Sequence, residues 1–229
     1  YSIIPDKNYF TDKDQYVSMD YGRLQNIMNE NIENAEYINI FDCLELSDYY
    51  ITDIHWKQEN LQKVVDKISE AMGFSDRLTM SYEKKEITEF DGIYANELPF
   101  DAGQDKISIL TNDIIQNANV YNYENEKETR IYDMEKLNSF DKYDIYLSGS
   151  TPLITITNSN AKVDKELIVF RDSFGSSLIP LFTEAYSKII LVDIRYMRSK
   201  DLEKYIEFKD QDVLFLYSTL VLNSSSVLK

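Results

Sequence analysis

The stretch ELIVFRDSFGSSLIPLFTEAYSKIILVD, residues 166–193, decides the fold of this 229-residue chain. It opens with an apolar run at Leu167–Phe170, passes through the small polar segment Arg171–Ser177, and closes with an apolar run at Lys188–Asp193. Between the two runs, apolar residues recur at the spacing of one helix face, at Leu178, Leu181, Phe182 and Ala185. The pattern predicts a buried strand, a helix and a second buried strand, the repeating unit of an α/β fold.

The same alternation continues toward the C-terminus. Ser199 is placed to cap a further helix, and Asp212–Tyr217 contains a third apolar run. The apolar face of that helix would consist of Leu202, Tyr205 and Ile206. Short connections between such elements favour parallel pairing with right-handed crossovers. We therefore predict that the three runs are neighbouring parallel strands, with helices covering both faces of the sheet.

The N-terminal third predicts elements of the same kind. The strands are expected at Tyr1–Ile4 and Glu36–Phe41, and the helices at Tyr21–Asn31 and Gln58–Met72. Gly73 is expected to end the second helix, because glycine adopts the left-handed conformation of a helix C-cap without strain.

The middle of the chain, about residues 74–146, has a different pattern. It carries short alternating runs rich in Asn, Asp and Tyr, including a strand-like segment at Asp144–Leu147, and it lacks a long helical pattern. We interpret it as an insertion of short strands and loops. The expected architecture is a single α/β domain over residues 1–229, with a three-layer, flavodoxin-like parallel sheet.

Composition narrows the classes of function. With 24 Lys and Arg against 40 Asp and Glu, the net charge of −16 argues against nucleic acid or an acidic membrane surface as a partner. No apolar run approaches the ~20 residues of a transmembrane helix. The single Cys43 excludes an intrachain disulfide framework and a Cys-based zinc cluster, and the single His55 excludes a His-rich metal site. We expect neither a metal nor an organic cofactor.

Ser173 lies at a predicted strand-to-helix junction. Such a junction exposes a side chain at the carboxyl edge of a parallel sheet, where α/β folds bind their ligands. A serine in that place is a candidate nucleophile if a base lies nearby, and free N–H groups at the helix start can stabilise an oxyanion. The Gly-x-Ser-x-Gly pattern of α/β-hydrolases is not met, because Arg171 replaces the first glycine. The alternative is that Ser173 only caps the helix.

Asp53 and His55 stand just before the helix predicted at Gln58–Met72. An Asp-x-His pair places a carboxylate where it can orient one imidazole nitrogen and stabilise the imidazolium. His55 is the only histidine, so a mechanism that needs imidazole must use it. The alternative is a structural pair that only caps the helix.

Four segments resemble one known family, in the same order along the chain. Asp53-Ile54-His55-Trp56, preceded by Tyr49-Tyr50, resembles the Asp-x-His-Trp signature of the DHHW-motif proteins, which are similar to the SGNH-hydrolase-like alginate O-acetylation proteins of bacteria. The other segments are residues 3–8, Asp172-Ser173-Phe174-Gly175 and Asp193-Ile194-Arg195-Tyr196. The resemblance spans nearly the whole chain and implies an SGNH-type α/β fold.

The resemblance also implies a Ser-His-Asp triad of Ser173, His55 and Asp53, with the Asp-x-His pair ahead of the serine. Asp172 and Gly175 are expected to shape the turn around the nucleophile. Gly149, in Ser148-Gly149-Ser150, is a candidate oxyanion donor through its backbone N–H, or else part of an ordinary turn. We expect His55 and Ser173 to face each other below an open polar pocket lined by Tyr or Asn of the insertion.

The function implied by the resemblance is ester chemistry on a glycan. It is either O-acetyl transfer or acetyl-ester hydrolysis on a cell-envelope or extracellular polysaccharide, with a membrane acyl-transfer protein as partner. Trp56 and Tyr50 are candidate substrate-lining residues, with core packing as the alternative for Trp56. The resemblance also implies an extracellular or cell-surface location, with the anchor or signal segment removed from this chain. The alternative function is a surface module that keeps the fold and binds or assembles glycans without catalysis.

Overall fold

The computed structural model describes residues 1–95 and 103–229; residues 96–102 of the predicted insertion lie outside this description. The strands are β1 (Ser2–Ile4), β2 (Glu83–Phe90), β3 (Asp105–Thr111), β4 (Asn119–Asn122), β5 (Lys127–Thr129), β6 (Leu153–Thr157), β7 (Glu166–Arg171), β8 (Lys188–Val192) and β9 (Asp212–Ser218). The α-helices are α1 (Tyr21–Asn31), α2 (Gln62–Met72), α3 (Asp113–Asn117), α4 (Gly175–Leu178) and α5 (Thr219–Asn223). Short 3₁₀ helices connect them at Lys7–Phe10, Phe41–Cys43, Leu46–Asp48, Gln58–Asn60, Ser75–Arg77, Met134–Asn138, Lys142–Ile145, Ile179–Ala185, Ser199–Lys204 and Ser225–Val227.

Seven strands form one sheet in the order β1-β9-β7-β8-β6-β4-β5. The strands β1, β9, β7 and β8 are parallel, and the three apolar runs β7, β8 and β9 are neighbours, as predicted. β6, β4 and β5 extend the sheet in antiparallel pairing. The α/β fold class is confirmed, with a mixed sheet in place of a wholly parallel one. Four residues, 123–126, join β4 to β5, which is too short for the crossover that parallel pairing requires.

The middle of the chain contributes to two different sheets. β2 and β3 pair with each other in a separate antiparallel sheet, which is interrupted by a register shift between Glu86 and Thr88. β4 and β5, which also lie within the predicted insertion, belong to the edge of the main sheet. Side chains along β4 alternate between buried and exposed, with Val120 fully buried and Tyr121 exposed. This alternation is typical of a strand that packs one face against the core, as β4 does at the edge of the main sheet.

The main sheet buries apolar side chains on both faces. On one face, Leu167 and Val169 of β7 belong to the large core that includes Val65 of α2. On the other face, Ile168 and Phe170 join a smaller core. Cover on this second face is incomplete along β9, where Val213 and Phe215 are 44% and 41% exposed. The predicted helical cover of β9 is therefore only partly realised.

One predicted strand is wrong. Glu36–Phe41 runs beside the start of the chain. Among the described residues, its backbone bonds to that segment are those of the Ile38 N–H, which donates to the Tyr1 carbonyl at 2.7 Å, and the Glu36 carbonyl, which accepts from the terminal amine at 2.6 Å. The Ile38 carbonyl accepts the Ser2 hydroxyl instead of a backbone N–H, at 2.9 Å. Asn39 then begins a turn by accepting from the Phe41 N–H at 3.0 Å. Side chains thus take the backbone groups that a strand would need.

Three further elements differ in type, and the first is the helix expected from Ser199, which is a 3₁₀ helix over Ser199–Lys204 with Arg198 at its N-cap. The helix predicted across Leu178–Ala185 is a single α-turn, α4, followed by a 3₁₀ helix at Ile179–Ala185, because Pro180 lacks the N–H that an α-helix would use. The strand expected at Asp144–Leu147 is largely a 3₁₀ turn at Lys142–Ile145. The Asp141 carboxylate begins this turn by accepting from the Tyr143 N–H at 2.9 Å.

The carboxyl edge of the parallel strands positions the candidate site. β7 ends at Arg171, two residues before Ser173, and β9 ends beside it at Ser218. Parallel strands bring such ends together at one edge. Among the described residues, the helices are too short or too polar to cross a membrane.

Candidate active site

A tight loop between Tyr49 and Trp56 presents Asp53 and His55. Tyr49 and Trp56 form an isolated antiparallel bridge, and the Tyr50 N–H donates to the His55 carbonyl at 3.1 Å. The chain therefore reverses direction between Tyr50 and His55. The side chains of Asp53 and His55 lie on the same side of this loop, in contact with each other.

The Asp105 carboxylate of β3 anchors this loop. It accepts from the Ile51 N–H at 2.9 Å, the Thr52 N–H at 2.7 Å and the Thr52 hydroxyl at 2.8 Å. The Thr52 hydroxyl in turn accepts from the Gly92 N–H at 3.0 Å. These bonds connect the Asp53 loop to the β2–β3 sheet, so the insertion holds the site from outside the main sheet.

Asp172 shapes the turn that carries Ser173, as predicted. One oxygen of its carboxylate accepts from the Phe174 N–H at 3.1 Å, and the other accepts from the Ser218 N–H at 2.7 Å. The turn is thereby tied to the end of β9. Position 175 also requires glycine for steric reasons, because a Cβ there would lie 2.8 Å from the Cβ of Arg171.

Ser173, His55 and Asp53 meet at this edge, although Ser173 and His55 are 118 positions apart. The Nε2 atom of His55 lies 2.8 Å from the Ser173 Oγ, and the Nδ1 atom lies 2.5 Å from the Asp53 carboxylate. Ser173 is partly exposed, whereas His55 and Asp53 are buried. The N-cap residue of α4 is Phe174 rather than Ser173, and no side chain within the described ranges caps this helix. The Ser173 hydroxyl instead faces the imidazole within the distance expected of a nucleophile and its base.

Asp53 is fully buried, and its carboxylate is held ionised. One oxygen accepts from both the ring and the backbone N–H of His55, the latter at 2.9 Å, and the other accepts from the Ile93 N–H at 3.2 Å. Burial by itself raises the pKa of Asp53, but these hydrogen bonds outweigh burial and hold the pKa below its ordinary value. The carboxylate can therefore orient and stabilise a protonated imidazole.

Aromatic side chains enclose the imidazole of His55. The Tyr143 ring lies parallel to it at 3.8 Å between ring centroids, and the Phe174 ring is tilted against it at 4.9 Å. Behind them, the Trp56 indole N–H donates to the Phe174 carbonyl at 3.1 Å and to the Ser177 hydroxyl at 2.9 Å. The aromatic packing leaves His55 5% exposed.

The expectation that Trp56 and Tyr50 line the substrate site is wrong. Both side chains are fully buried in the large core. Trp56 secures the Ser173 turn through its hydrogen bonds, and Tyr50 packs against the Phe90 ring at 4.9 Å between centroids. Core packing, the alternative for Trp56, is what the structure shows.

Gly149 shapes a turn and does not offer an oxyanion donor. Its N–H donates to the Tyr146 carbonyl at 3.1 Å, so the group expected to bind an oxyanion is already used. Its φ of +82° and the Asp144 carboxylate, which a Cβ would approach to 2.1 Å, both require glycine. In contrast, the backbone N–H of Ser173 donates to no acceptor within residues 1–95 and 103–229.

A cavity of about 590 Å³ opens beside Ser173. It lies between the Asp172–Phe174 turn and a wall formed by Arg195, Tyr196 and residues of the segment 218–229. The expectation of a pocket lined by Tyr or Asn of the insertion is wrong for the described residues. The C-terminal segment lines it instead, because α5 directly follows β9 at the carboxyl edge.

Sequence reasoning missed three supporting residues, namely Asp105, Gly92 and Tyr143. A Cβ at Gly92 would lie 2.4 Å from the Cβ of Asp53, so only glycine allows this approach. None of the three stands in a motif with the triad residues. Asp105 is 53 positions from Thr52, and no periodicity predicts their contact. Within the described ranges, no cluster of three or more His, Cys, Asp or Glu is arranged to hold a metal ion.

Solved structures of two kinds share this fold. A DHHW family protein from Eubacterium siraeum superposes with a TM-score of 0.74 at 19% identity, over 99% of this chain and 80% of that chain. Bacillus cereus PatB1 superposes with a TM-score of 0.74 at 19% identity, over 96% of this chain and 82% of that chain. A second PatB1 structure, with a sulfonyl adduct, gives a TM-score of 0.73 at 19% identity, over 96% of this chain and 81% of that chain. No protein-family profile and no curated protein matches the chain.

The fold is thus an α/β fold in which a serine, a histidine and an aspartate are in contact at the carboxyl edge of the sheet. More narrowly, it is the fold of the DHHW family protein and of PatB1, as the resemblance of the Asp53–Trp56 segment predicted.

Proposed function

We propose that this protein is a serine-dependent O-acetyltransferase or acetylesterase that acts on a polysaccharide. The observation that carries the proposal is the continuous contact from the Ser173 hydroxyl through both nitrogens of His55 to Asp53. This order of groups is the one by which a serine hydroxyl becomes a nucleophile at neutral pH.

In the first half of the proposed reaction, the Ser173 Oγ attacks the acetyl carbonyl carbon while Nε2 of His55 takes the hydroxyl proton. Asp53 stabilises the imidazolium through Nδ1. The Ser173 backbone N–H is the donor assigned to the oxyanion. The intermediate then collapses, the donor alcohol leaves with the proton from Nε2, and an acetyl-Ser173 ester remains.

In the second half, an acceptor reaches the acetyl-enzyme from the cavity beside Ser173. His55 removes a proton from the acceptor hydroxyl, whose oxygen attacks the acetyl carbon. When the intermediate collapses, His55 returns the proton to Ser173. A sugar hydroxyl as acceptor gives O-acetyl transfer, and water gives hydrolysis.

The exposure of Ser173 supports a catalytic role. Ser173 alone of the three residues is partly exposed, and it opens into the cavity that the substrate would enter. We further propose a cell-envelope or extracellular polysaccharide as substrate, a membrane acyl-transfer protein as partner, and an extracellular or cell-surface location. These follow from the resemblance to the DHHW-motif proteins.

The test is covalent labelling with phenylmethylsulfonyl fluoride, followed by intact mass and peptide mapping. A PatB1 structure contains a sulfonyl adduct, which makes this reagent a suitable probe here. We expect one adduct, on Ser173, in the native protein and none in the Ser173→Ala variant. Ser176, a buried serine of α4 whose hydroxyl accepts from Arg171, provides a matched control as Ser176→Ala. Labelling that is absent in the native protein, or unchanged in Ser173→Ala, contradicts the proposal and favours a glycan-binding module.

A further inference from the structure

The turn that follows β1 contacts both sides of the candidate site, although the proposed reaction gives it no role. The Pro5 carbonyl accepts from the Tyr49 hydroxyl at 2.6 Å. The Asp6 carboxylate accepts from the Thr219 hydroxyl at 2.6 Å, and the Asp6 N–H donates to the same hydroxyl at 3.1 Å. Because Tyr49 begins the Asp53 loop and Thr219 begins α5, this turn joins the loop to the wall of the cavity.

Lys7, the next residue of the turn, binds backbone carbonyls of the loop. Its Nζ atom donates to the Tyr50 carbonyl at 2.7 Å and to the Ile51 carbonyl at 3.1 Å. The Asp105 carboxylate accepts from the Ile51 N–H at 2.9 Å. The loop is therefore held by a cation at its carbonyl groups and by an anion at its N–H groups. Hydrogen bonds to charged groups are roughly twice as strong as those between neutral groups, so the two ions fix the backbone that carries Asp53.

The half-buried Lys7 ammonium also acts on Asp53 through its charge. Burial lowers the pKa of Lys7, and the negative charges of Asp53 and Asp105 act in the opposite direction. A second cation, Lys57, lies near enough to lower the pKa of Lys7 further. A positive charge in this place disfavours an additional proton on the Asp53–His55 pair.

Carboxylates on the other side of His55 have the opposite effect. Asp141 and Asp144 flank Tyr143, whose ring lies against the imidazole, and the charge of His55 reaches both carboxylates. They favour the protonated imidazole, whereas Lys7 disfavours it. Since only the neutral imidazole can accept the proton of the nucleophile, the Lys7 cation offsets these two carboxylates in favour of the active form of the base.

We propose that Lys7 is a positioning residue of the candidate active site, which fixes the backbone of the Asp53 loop and keeps the Asp53–His55 pair in its basic form. The inference rests on the proposed function and adds to it a residue outside the triad. Among the described residues that line the cavity beside Ser173, Lys7 is absent. Its loss should therefore change kcat and the pH dependence of turnover, with little change in KM.

The test is the pH profile of 4-nitrophenyl acetate hydrolysis in Lys7→Met, because methionine resembles lysine in length and carries no charge. We expect kcat/KM at pH 7 to fall about tenfold, since two charge-assisted hydrogen bonds are lost, while KM changes less than about twofold. The acid limb of the profile should move upward by about 0.5 pH unit. Lys7→Arg keeps a cation, so it should retain kcat/KM within about threefold and the native acid limb.

Lys13→Met is the matched control. Lys13 is an exposed lysine of the same N-terminal segment, and its Nζ lies 5.5 Å from the centre of the Tyr9 ring, much as the Lys7 Nζ lies 5.7 Å from that of Tyr94. Within the described ranges it has no hydrogen bond to the Asp53 loop. Both the rate and the acid limb should therefore stay native in Lys13→Met.

The basic limb gives a second test that keeps a cation at position 7. Because burial lowers the pKa of Lys7, the native protein should lose this cation, and part of its kcat, at a lower pH than an exposed lysine would. Arginine stays protonated across this range. In Lys7→Arg the basic limb should therefore lie at higher pH than in the native protein, with spontaneous hydrolysis subtracted by use of Ser173→Ala.

The outcomes separate the two proposals. An unshifted acid limb in folded Lys7→Met, or coincident basic limbs in the native protein and Lys7→Arg, overturns the role of Lys7 while the ester chemistry stands. A raised KM with unchanged kcat in Lys7→Met also overturns it, because Lys7 would then act in substrate binding. If Lys7→Met does not fold, the basic limb alone decides. Absence of turnover in the native protein overturns the proposed function, and this inference with it.

Discussion

The imidazole of His55 lies flat against the phenol ring of Tyr143, with 3.8 Å between ring centroids and 7° between ring planes. The Tyr143 hydroxyl donates to the Ser177 Oγ at 2.8 Å, and the same oxygen accepts from the Trp56 indole N–H at 2.9 Å. Tyr143 is buried, so the stack excludes water from one face of the imidazole. The 3₁₀ turn that carries Tyr143 therefore sets the ring plane of His55.

This stacking predicts different effects for two substitutions of Tyr143. Tyr143→Phe keeps the ring and loses the hydroxyl contact, which should cost about 1 kcal/mol of unfolding free energy and leave kcat/KM for an acetyl ester within about threefold. Tyr143→Leu loses the ring, and kcat/KM should fall about tenfold because the imidazole can then turn away from Ser173. Denaturant unfolding and steady-state kinetics measure both. Equal kinetics in the two variants would show that the stack has no part in catalysis.

Removal of the base should abolish turnover. In His55→Ala the Ser173 hydroxyl has no proton acceptor, and we expect kcat/KM for a fluorogenic acetyl ester to fall by about 10⁴ or more. Ser173→Ala removes one oxygen atom from a partly exposed position and should be as inactive while unfolding at nearly the native temperature. Combining the two substitutions should cost little more than either alone, because the residues act as a unit. Native-like turnover by folded His55→Ala would remove His55 from the mechanism.

Gly92 should be sensitive to a single added methyl group. A Cβ at this position would lie 2.4 Å from both the Asp53 Cβ and the Thr52 carbonyl oxygen. Gly92→Ala must therefore shift the Asp53 loop, with an expected loss of about 1–3 kcal/mol in unfolding free energy and a lower kcat. Gly22, in α1, is the matched control, since its Cβ would meet nothing nearer than 3.6 Å. Gly22→Ala should leave activity unchanged and stabilise the helix by up to about 1 kcal/mol.

Asp144 should make stability fall as pH rises. Burial, with a smaller contribution from the charge of Asp141, raises the pKa of Asp144 from 3.8 to about 6. Between these two values the folded protein binds more protons than the unfolded chain, so unfolding free energy decreases from about pH 4 to pH 6. Asp144→Asn removes this penalty. Because Asp144 is partly exposed, screening reduces the gain at pH 7 to about 1 kcal/mol, or about 2–4 °C in Tm.

Measurements at low pH test the predicted direction of the Asp144 effect on stability. At pH 3 the native protein and Asp144→Asn should melt at the same temperature, since the carboxyl is protonated in both states. Asp201 has a lowered pKa because of hydrogen bonds from Lys204 and Arg198, so Asp201→Asn should have the opposite effect above pH 4. A pH-independent difference between Asp144→Asn and the native protein would contradict the assignment.

Local pattern predicted most of the regular elements. The buried runs β7, β8 and β9 and the helix α1 lie where periodicity placed them, and α2 ends at Gly73, whose φ is +72°. Elements that depend on competing side chains were predicted wrongly. At Glu36–Phe41 the Ser2 hydroxyl and the Asn39 side chain capture backbone groups, and these contacts come from the folded neighbourhood rather than from the local pattern.

The sequence by itself determined which residues could carry chemistry. One histidine, an Asp two positions before it, and a serine at a strand-to-helix junction made His55, Asp53 and Ser173 candidates, and the resemblance to the DHHW-motif proteins implied that they form a triad. The place of Ser173 also follows from topology, because parallel strands bring their carboxyl ends to one edge, whereas Asp53 and His55 reach that edge on a loop anchored by β3 of the separate sheet.

Only the tertiary structure decided how these residues are held and what surrounds them. Asp105 anchors the Asp53 loop across 53 positions, Gly149 uses its N–H within its own turn, and Arg195 lines the cavity beside Ser173. Trp56 is buried despite its place beside His55. The physical reason is that hydrogen bonds and burial depend on distances between segments remote in sequence, whereas periodicity reports only the faces of one segment at a time.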